Sequence, residues 1–384
     1  MVIVRIALVA PLIESVPPQR YGGTERVVSY LNEALIELGH DVTLYASGDS
    51  RTHASLVAVI PRNLRGDGRE GAWPIWTTLM LERVFRDAER GAFDLIHFHV
   101  DMLHYPLARR CRTPCVTTLH GRQDLPGLAA LYQHFADLPL VSISDSQREP
   151  LPHANWLATI HHGLPLNLYR YHPQAQNYFC FVGRISPEKR VDRAIEIAIG
   201  CNVPLKIAAK VDNADRAYFE QRIRPLLPHP LIEYLGEIGE EEKNDVIGNA
   251  RALLFPIDWP EPFGLVAVEA LACGTPVISY PCGAVPEILR HGIDSFIVHD
   301  QEQAISMARN IEQIARANCR ASFEQRFSVA TMAERYLDVY RTLIRRPADA
   351  VQEHWNGRQD PHRQQVVRRR HLGEERAESA SPQE

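Results

Sequence analysis

Residues 261–276 read EPFGLVAVEALACGTP, and this stretch carries the clearest signals for the fold of the second half of the chain. Gly264 and Gly274 bracket a segment that is apolar apart from one glutamate, and Pro276 opens a further apolar run. The pattern predicts a helix that begins near Gly264, stops before Gly274 and is followed by a buried strand. A buried helix that leads directly into a buried strand is typical of an α/β sheet protein.

The start of this helix is a predicted ligand site. Glycine at position 264 lets a ligand approach the backbone closely. The amides of Phe263, Gly264 and Leu265 would lie at the positive end of the helix dipole. We therefore expect this end to bind an anion or the hydroxyl groups of a sugar.

Two carboxylates flank the helix start. Glu261 lies just before it, and Glu269 follows eight residues later, inside the apolar segment. A buried glutamate is costly unless it has partners, and a ribose diol is a natural partner, as in dinucleotide sites. The alternative is that Glu269 caps a neighbouring loop or pairs with an arginine.

Short apolar runs alternate with helical patterns in two blocks, which a Pro-rich stretch at 161–173 separates. This alternation predicts two doubly wound α/β domains with parallel sheets and a boundary near residues 162–176. The predicted strands are 2–10, 41–46, 95–98, 115–119 and 140–144 in the first block, and 178–182, 205–209, 232–234, 252–255, 276–279 and 295–298 in the second. The predicted helices are 25–38, 191–199, one that includes 219–223, 301–317 and 329–345.

The composition excludes several classes of protein. The chain has 384 residues and a net charge of -5. This charge argues against a nucleic-acid partner, because neutralising phosphates needs clustered Lys and Arg. The seven cysteines form no C-x-x-C pair and no zinc-spaced group with histidine, which suits reduced thiols in a cytosol. No segment approaches the roughly 20 consecutive apolar residues of a membrane span, so any membrane contact is expected to be peripheral.

The two ends of the chain differ in character. Residues 1–12 are apolar, but Arg5 and the short length favour a buried first strand over a signal peptide. Residues 347–384 are rich in Arg, Glu, Gln and Pro and are expected not to fold, with their basic run at 368–371 solvated. The expected location is the cytoplasm, with the inner face of a membrane as the alternative.

Five motifs together resemble those of one family. The stretch from Glu261 to Glu269 resembles the E-x7-E signature of retaining GT-B glycosyltransferases of the family-4 type, the glycosyl transferases group 1. Residues 183–189, GRISPEK, resemble that family's G-R-x4-K phosphate loop, and residues 21–27, YGGTERV, resemble its N-terminal glycine loop. The sequences LHG at 119–121 and HFH at 97–99 match family positions at strand ends. The resemblance covers roughly residues 1–345, and its motifs occur in the expected order.

This resemblance implies a GT-B fold, in which two Rossmann-like doubly wound domains face each other across a cleft. The acceptor-side domain would be 1–165 and the nucleotide-sugar-binding domain 166–328. The segment 329–346 would be a helix that crosses back to the first domain. The implied function is a hexosyltransferase of carbohydrate biosynthesis that moves a sugar from a UDP- or GDP-sugar to an acceptor, with retention of configuration.

The leaving group of such a reaction is a nucleoside diphosphate, and charge accumulates on its oxygens as the anomeric bond breaks. Arg184 and Lys189 are the predicted cations for this charge, because preorganised positive groups stabilise the transition state more than the ground state. We therefore predict no metal and no cofactor. The alternative for Arg184 is a surface ion pair with Glu188.

The other predicted roles follow from the resemblance. His120 would lie near the anomeric carbon and join Glu261, Arg184 and Lys189 as the catalytic set, and Glu261 would contact hydroxyls of the transferred sugar. His99 and Asp101 are predicted acceptor contacts. Glu269 would hold the ribose, and backbone groups near Leu235–Ile238 would hold the base. The full set of predicted donor-binding residues is Gly22, Gly23, Arg184, Lys189, Ile238, Glu261, Phe263, Gly264, Leu265 and Glu269.

Several alternatives stay open. The chain could be a nucleotide-sugar-binding protein without catalysis, or an epimerase or phosphorylase on the same fold. The E-x7-E pattern counts against an epimerase, because the epimerases of this fold are expected to lack it. The acceptor could be a glycan, a lipid or a small molecule. The basic residues Arg109, Arg110 and Arg112 could meet an anionic membrane, or they could form a solvated helix face.

Overall fold

The computed structural model describes residues 2–19 and 22–345, and it contains two parallel β-sheets flanked by helices. Both sheets belong to one compact unit that extends to Tyr340. Tyr21 of the glycine loop and the predicted tail at 347–384, with its basic run, lie outside the described residues.

The first sheet has seven strands in the order β3-β2-β1-β4-β5-β6-β7, all parallel. Its central strands are buried on both faces, as in a sheet covered by helices on both sides. The strands are β1 Arg5–Val9, β2 Asp41–Ala46, β3 Ser55–Ala58, β4 Leu95–Phe98, β5 Cys115–Thr118, β6 Leu140–Ser142 and β7 Trp156–Thr159. The helices of this half are α1 Gly23–Glu37, α2 Trp73–Glu89, α3 Tyr105–Ala108 and α4 Leu128–His134.

The second sheet has six parallel strands in the order β10-β9-β8-β11-β12-β13. The strands are β8 Phe179–Arg184, β9 Leu205–Lys210, β10 Ile232–Gly236, β11 Ala252–Phe255, β12 Val277–Ser279 and β13 Ser295–Ile297. The helices are α5 Val191–Cys201, α6 Arg216–Tyr218, α7 Glu240–Gly248, α8 Leu265–Cys273, α9 Val285–Ile288, α10 Gln301–Arg309, α11 Arg316–Arg326 and α12 Val329–Ile344. A π-helical turn at Phe219–Ile223 follows α6.

Each strand order reverses direction once, between β1 and β4 in the first sheet and between β8 and β11 in the second. Loops on either side of such a switch point diverge and leave a crevice at the carboxyl ends of the strands. The fold therefore places a crevice at the carboxyl end of each sheet, and the α/β, doubly wound fold class predicted from the sequence is confirmed.

The last helix packs on the first sheet, although it follows the second sheet in sequence. The Tyr340 hydroxyl lies 2.7 Å from Nδ1 of His97 on β4, and the Tyr336 hydroxyl lies 3.1 Å from Oγ1 of Thr118 on β5. All four side chains are buried. Hydrogen-bonded contacts of this kind fix where α12 lies on the sheet.

Several predicted elements were wrong or missing. The predicted helix 301–317 is two helices, because α10 ends at Arg309 and Ile314 has extended backbone angles before α11 begins. The first strand begins at Arg5 rather than residue 2, since Val2 and Ile3 are exposed. Helices α2, α3, α4, α7 and α9 were not predicted. The outer strands β3 and β7 were not predicted either, and neither is fully buried.

Candidate active site

A cavity of about 510 Å3 lies where the carboxyl ends of strands from both sheets meet. The loops after β1, β5, β6 and β7 line it from one sheet, and the ends of β8 to β11 line it from the other. It brings together most of the predicted site residues, which come from positions as far apart as 22 and 269. Those that line it are Gly22, Gly23, His120, Arg184, Lys189, Ile238, Glu261, Phe263, Gly264, Leu265 and Glu269.

The start of α8 forms part of the cavity wall, and the predicted bounds of this helix are confirmed. Gly264 precedes it with φ 87°, and Gly274 follows it with φ 80°. Both angles lie in the left-handed region that glycine adopts without strain. Among the described residues no side chain caps this helix start, so its first amides are available to a ligand. A Cβ on residue 264 would lie 3.2 Å from the Phe255 ring.

Lys189 and Glu261 form an ion pair beside this helix start. The Trp259 indole donates to the same carboxylate at 2.9 Å, and the Lys189 ammonium lies 4.9 Å from the centre of a Trp259 ring. Both charged side chains are largely buried. The three groups therefore hold each other in place, and an incoming phosphate would compete with Glu261 for the Lys189 ammonium.

Arg184 lies at the end of β8 and lines the same cavity. Its guanidinium forms an ion pair with Glu188 and lies 3.6 Å from Asp215 and 3.9 Å from Asp212. The surface pair with Glu188 that was considered from the sequence is therefore present. Arg184 thus lines the cavity and pairs with Glu188 at the same time. An anionic ligand would contact a guanidinium that these carboxylates already hold in position.

Glu269 is 4% exposed and has a cationic partner. The Lys243 ammonium on α7 lies 2.8 Å from its Oε1 and 3.1 Å from Oε1 of Glu240. Glu240 also pairs with Arg26 on α1 and accepts a hydrogen bond from the Tyr169 hydroxyl. The buried carboxylate is thus stabilised by a lysine rather than by the arginine that the sequence analysis considered.

Two histidines line the cavity on the side of the first sheet, and a third lies behind them. His120 follows β5 and lines the cavity, as does His162, which follows β7. Their rings stack at 5.3 Å with an interplanar angle of 19°. Nδ1 of His99 lies 2.9 Å from Nε2 of His120. The ring of Phe263 packs edge-on against His162 at 4.7 Å, which connects the histidines to the start of α8.

Burial controls the charge of these rings. Burial lowers the pKa of His120 to about 3, and it holds the pKa of His99 and of His162 well below their ordinary value. Mutual repulsion between the neighbouring imidazoles acts in the same direction on His99 and His162. The three rings are therefore neutral near pH 7 and offer hydrogen bonds rather than positive charge.

The structure does not bring two of the predicted residues into the cavity. His99 is 4% exposed and lies behind His120, so it reaches the cavity only through that residue. Asp101 is exposed and is not part of the cavity wall. Their predicted contacts with the acceptor have no support from this geometry.

Sequence reasoning missed other residues of the cavity wall. Arg26 and Lys243 are single cations on helices, and only the fold brings them to Glu240 and Glu269. His162 stands at a strand end, which is the signal that identified His120, but its strand was not predicted.

Neither a membrane-spanning helix nor a metal-binding cluster occurs among the described residues. None of their helices is long and apolar enough to cross a membrane. They also contain no group of three or more His, Cys, Asp or Glu side chains arranged to hold a metal ion. All seven cysteines are free thiols.

Two doubly wound sheets with a cavity at their strand ends form the architecture of the GT-B class. Residues 21–180 match the family described as Glycosyltransferase Family 4, and residues 171–329 match Glycosyl transferases group 1. The chain therefore belongs to the family-4 type of GT-B glycosyltransferases.

A curated relative and two solved structures are similar to this chain over most of its length. An uncharacterised glycosyltransferase of Methanocaldococcus jannaschii is 22% identical over 379 residues, covering 85% of this chain and 96% of the relative. The solved structure of AviGT4, a glycosyltransferase involved in avilamycin A biosynthesis, is 25% identical with a TM-score of 0.68 and covers 89% and 98% of the two chains. Anabaena HepE, solved in complex with UDP and glucose, shares the fold at 16% identity with a TM-score of 0.69 and covers 88% and 100%.

Proposed function

We propose that this glycosyltransferase moves a hexosyl group from a UDP- or GDP-sugar to an acceptor hydroxyl with retention of configuration and without a metal ion. The observation that carries the proposal is the position of Lys189, Arg184 and the start of α8 around one cavity, with Glu269 buried beside them. Two cations and a helix start are groups that bind a diphosphate.

The nucleoside diphosphate would lie along the wall formed by the second sheet. Arg184 and Lys189 bind the pyrophosphate and neutralise the charge that develops when the anomeric bond breaks. Because these groups are cationic and preorganised, they supply the stabilisation that a metal ion supplies in other enzymes. Glu269 accepts hydrogen bonds from the ribose hydroxyls, and the loop at Ile238 borders the base.

The sugar would lie between the start of α8 and the histidines. Glu261 and the backbone of Phe263, Gly264 and Leu265 bind its hydroxyls on one side, and His120 bonds it on the other. With both faces of the sugar covered, the acceptor reaches the anomeric carbon from the side that the diphosphate leaves. Attack on that face retains the configuration, and the leaving phosphate takes the proton of the acceptor hydroxyl.

The acceptor would enter from the wall formed by the first sheet, where Gly22, Gly23 and the loop after β1 border the cavity. It is a glycan, a lipid or a small molecule with a free hydroxyl. We assign the acceptor side to residues 1–165, the donor side to 166–328 and the returning helix to 329–346. The contacts of Tyr336 and Tyr340 with β4 and β5 support the last assignment.

HepE was solved with UDP and glucose, and it shares the fold of this chain. That likeness supports a nucleotide-sugar donor here. The donor panel described next distinguishes a UDP-sugar from a GDP-sugar.

The test is the release of UDP or GDP from a panel of nucleotide sugars, with glycan, lipid and small-molecule acceptors, in the presence and absence of EDTA. The proposal predicts release with one donor, dependence on an acceptor and no effect of EDTA. The anomeric configuration of the product, read by NMR, tests retention. Donor binding without release would favour the non-catalytic alternative, and a new nucleotide-sugar isomer without an acceptor would favour an epimerase.

A further inference from the structure

Glu261 and His120 line the cavity from opposite sheets, and the proposed function places the sugar between them. Glu261 follows β11 of the second sheet, and His120 follows β5 of the first. The distance between these two residues therefore sets the width of the space that a sugar could occupy. A set of hydrogen bonds outside the cavity connects the two sides.

On the side of Glu261, the backbone lies against the loop that leads into α9. The Ala284 amide donates to the Glu261 carbonyl at 2.9 Å. A Cβ on Gly283 would lie 2.3 Å from the Glu261 nitrogen, so the two backbones are in direct contact. Arg326 on α11 donates to the Glu287 carbonyl and so anchors the other end of α9. The positions of α9 and Glu261 are therefore coupled.

The side chain of Glu287 connects α9 to the loop after β6 of the first sheet. Its two carboxylate oxygens accept from the amides of Asp145 and Ser146, at 2.8 and 2.7 Å. These amides lie at the start of the 3₁₀ turn Ser146–Arg148. Nε2 of His161 lies 3.4 Å from the same carboxylate. Hydrogen bonds to a carboxylate are stronger than those between neutral groups, so this contact holds the loop firmly.

The same hydrogen bonds keep Glu287 charged. Burial by itself raises the pKa of Glu287, but the bonds from His161 and from the two backbone amides outweigh burial and hold the pKa below its ordinary value. The carboxylate is therefore ionised near pH 7, and both oxygens act as acceptors. A glutamine in its place would offer one acceptor oxygen and would set its NH2 group against the second backbone N–H.

Gln147 extends the connection to the loop that carries His120. Its Nε2 donates to the carbonyl of Leu119 at 2.9 Å and to the carbonyl of Gly121 at 2.7 Å, on either side of His120. Its Oε1 accepts from the Ile143 amide at 2.9 Å, and the residue is 5% exposed. The loop after β6 therefore makes hydrogen bonds in two directions, toward α9 and toward His120.

We propose that Glu287 and Gln147 are positioning residues that fix the distance between Glu261 and His120, and with it the width of the sugar site. The hydrogen bonds of Gln147, Glu287 and Ala284 together form the 147–287 link, which joins the two sides without crossing the cavity. Neither Glu287 nor Gln147 is part of the cavity wall, so both act through other residues. The proposal rests on the proposed function only for the identity of the sugar.

Amide hydrogen exchange on the full chain tests the link without a substrate. Glu287→Gln removes the charge and one of the two acceptor oxygens, so the two ends that Glu287 joins should both lose order. We expect exchange to become about tenfold faster in two separate segments, 143–147 and 282–287, which corresponds to the loss of one charged hydrogen bond. Faster exchange in only one segment, or in neither, would overturn the proposal.

Glu33 provides a matched control. Its side chain is 29% exposed, against 22% for Glu287, and it also accepts from a backbone amide and contacts a histidine ring, both of His53. It lies on α1 and is not part of the cavity wall. Glu33→Gln should lower the melting temperature to a similar degree and leave exchange in 143–147 and 282–287 unchanged.

Turnover then tests whether the link acts as one unit. Glu287→Gln should lower kcat about tenfold to a hundredfold, because a small displacement of reacting groups has an effect of this size. It should leave the Kd of UDP or GDP unchanged, since the contacts proposed for the nucleotide all come from the second half of the chain. Gln147→Leu should have the same effects. In the double variant the loss of kcat should equal that of either single variant, and additive losses would contradict the proposal.

The two experiments separate this inference from the proposed function. If no nucleotide sugar is turned over, the proposed function fails, and hydrogen exchange still decides whether the 147–287 link holds the two sides together. If turnover occurs but exchange in Glu287→Gln is unchanged, the link is refuted and the proposed function stands.

Discussion

The Lys243 ammonium lies 2.8 Å from one carboxylate oxygen of Glu269, on the helix whose start forms part of the cavity wall. The same ammonium lies 3.1 Å from Glu240, which in turn pairs with Arg26 on α1. A buried carboxylate in the second half of the chain is thus connected to a helix of the first half through Lys243, Glu240 and Arg26. The proposed ribose residue is therefore held at a defined position before a donor binds.

Glu269→Ala should weaken the binding of UDP or GDP while the protein stays folded. The side chain provides hydrogen bonds from a charged group, and their loss costs about 1.5–3 kcal/mol, or about tenfold to a hundredfold in Kd. Isothermal titration calorimetry measures the change. Glu242→Ala, on the exposed face of α7, is the control and should leave Kd unchanged. Equal affinities for both variants would rule out the ribose role.

Lys189→Ala should lower kcat far more than it lowers stability. The lysine is the proposed cation for the leaving diphosphate, and removing one preorganised charge-stabilising group costs about a hundredfold to a thousandfold in kcat. Glu261 keeps its hydrogen bond from Trp259, so its carboxylate is not left without a partner.

The control for this variant is Lys206→Ala, because Lys206 is also a lysine near the second sheet but is not part of the cavity wall. Turnover at saturating donor concentration is measured for both variants together with their melting temperatures. Near-normal turnover in Lys189→Ala would contradict the assignment of Lys189 as the cation that stabilises the leaving diphosphate.

Gly264→Ala should lower both stability and donor affinity. Its φ of 87° is strained for any other residue, at a cost of about 1–2 kcal/mol, and the new Cβ would lie 3.2 Å from the Phe255 ring. Gly292→Ala is the control, because its φ is 77° and a Cβ there has no atoms within 4 Å.

Both glycine variants should lose stability, but only Gly264→Ala should weaken nucleotide binding, since Gly292 is not part of the cavity wall. Chemical denaturation and calorimetry separate the two effects. A parallel loss of affinity in both variants would mean that the start of α8 has no special part in binding.

The sequence predicted elements well where local signals were strong. Helix α8 is bracketed by two glycines and enclosed by prolines, so its bounds were readable, and Glu269 was noticed as a charge among apolar residues. The outer strands β3 and β7 are only partly buried, so their apolar pattern is weak. The break between α10 and α11 contains no proline or glycine, and one continuous helix was predicted across it.

The missed parts of the site depend on distant pairs. Lys243 precedes Glu269 by 26 positions and Arg26 precedes Glu240 by 214, and no spacing rule connects either pair. His99 was predicted as an acceptor contact because HFH at 97–99 resembles a family motif at a strand end, but its side chain packs against His97 and His120. The sequence predicted that His99 lies at the end of a strand, but it did not predict that His99 lies behind the cavity wall.

Glu25 should make stability depend on pH. It is 6% exposed, and burial raises its pKa from 4.5 to about 7. The folded state therefore holds this proton more tightly than the unfolded state. The contribution to stability is complete below about pH 4.5 and is lost as the pH rises through 7.

Glu25→Gln removes this titration, because the amide stays neutral at every pH. The pKa difference corresponds to about 3 kcal/mol. Between pH 5 and pH 8, the free energy of unfolding should therefore fall more in the unmodified protein than in the variant, and the extra loss should be up to about 3 kcal/mol. Urea denaturation at the two pH values measures the difference. The same pH dependence in both proteins would show that Glu25 does not titrate in this range.

The central claim is that the cavity binds the nucleoside diphosphate of a sugar donor without a metal ion. A thermal-shift panel of UDP, GDP, ADP and their glucose, mannose and N-acetylglucosamine forms, with and without EDTA, tests it most directly. A ligand at 100 times its Kd adds about 2.7 kcal/mol of stability. We predict that one diphosphate and its sugar forms raise the melting temperature equally with and without EDTA. Stabilisation that disappears with EDTA, or no stabilisation by any nucleotide, would contradict the claim.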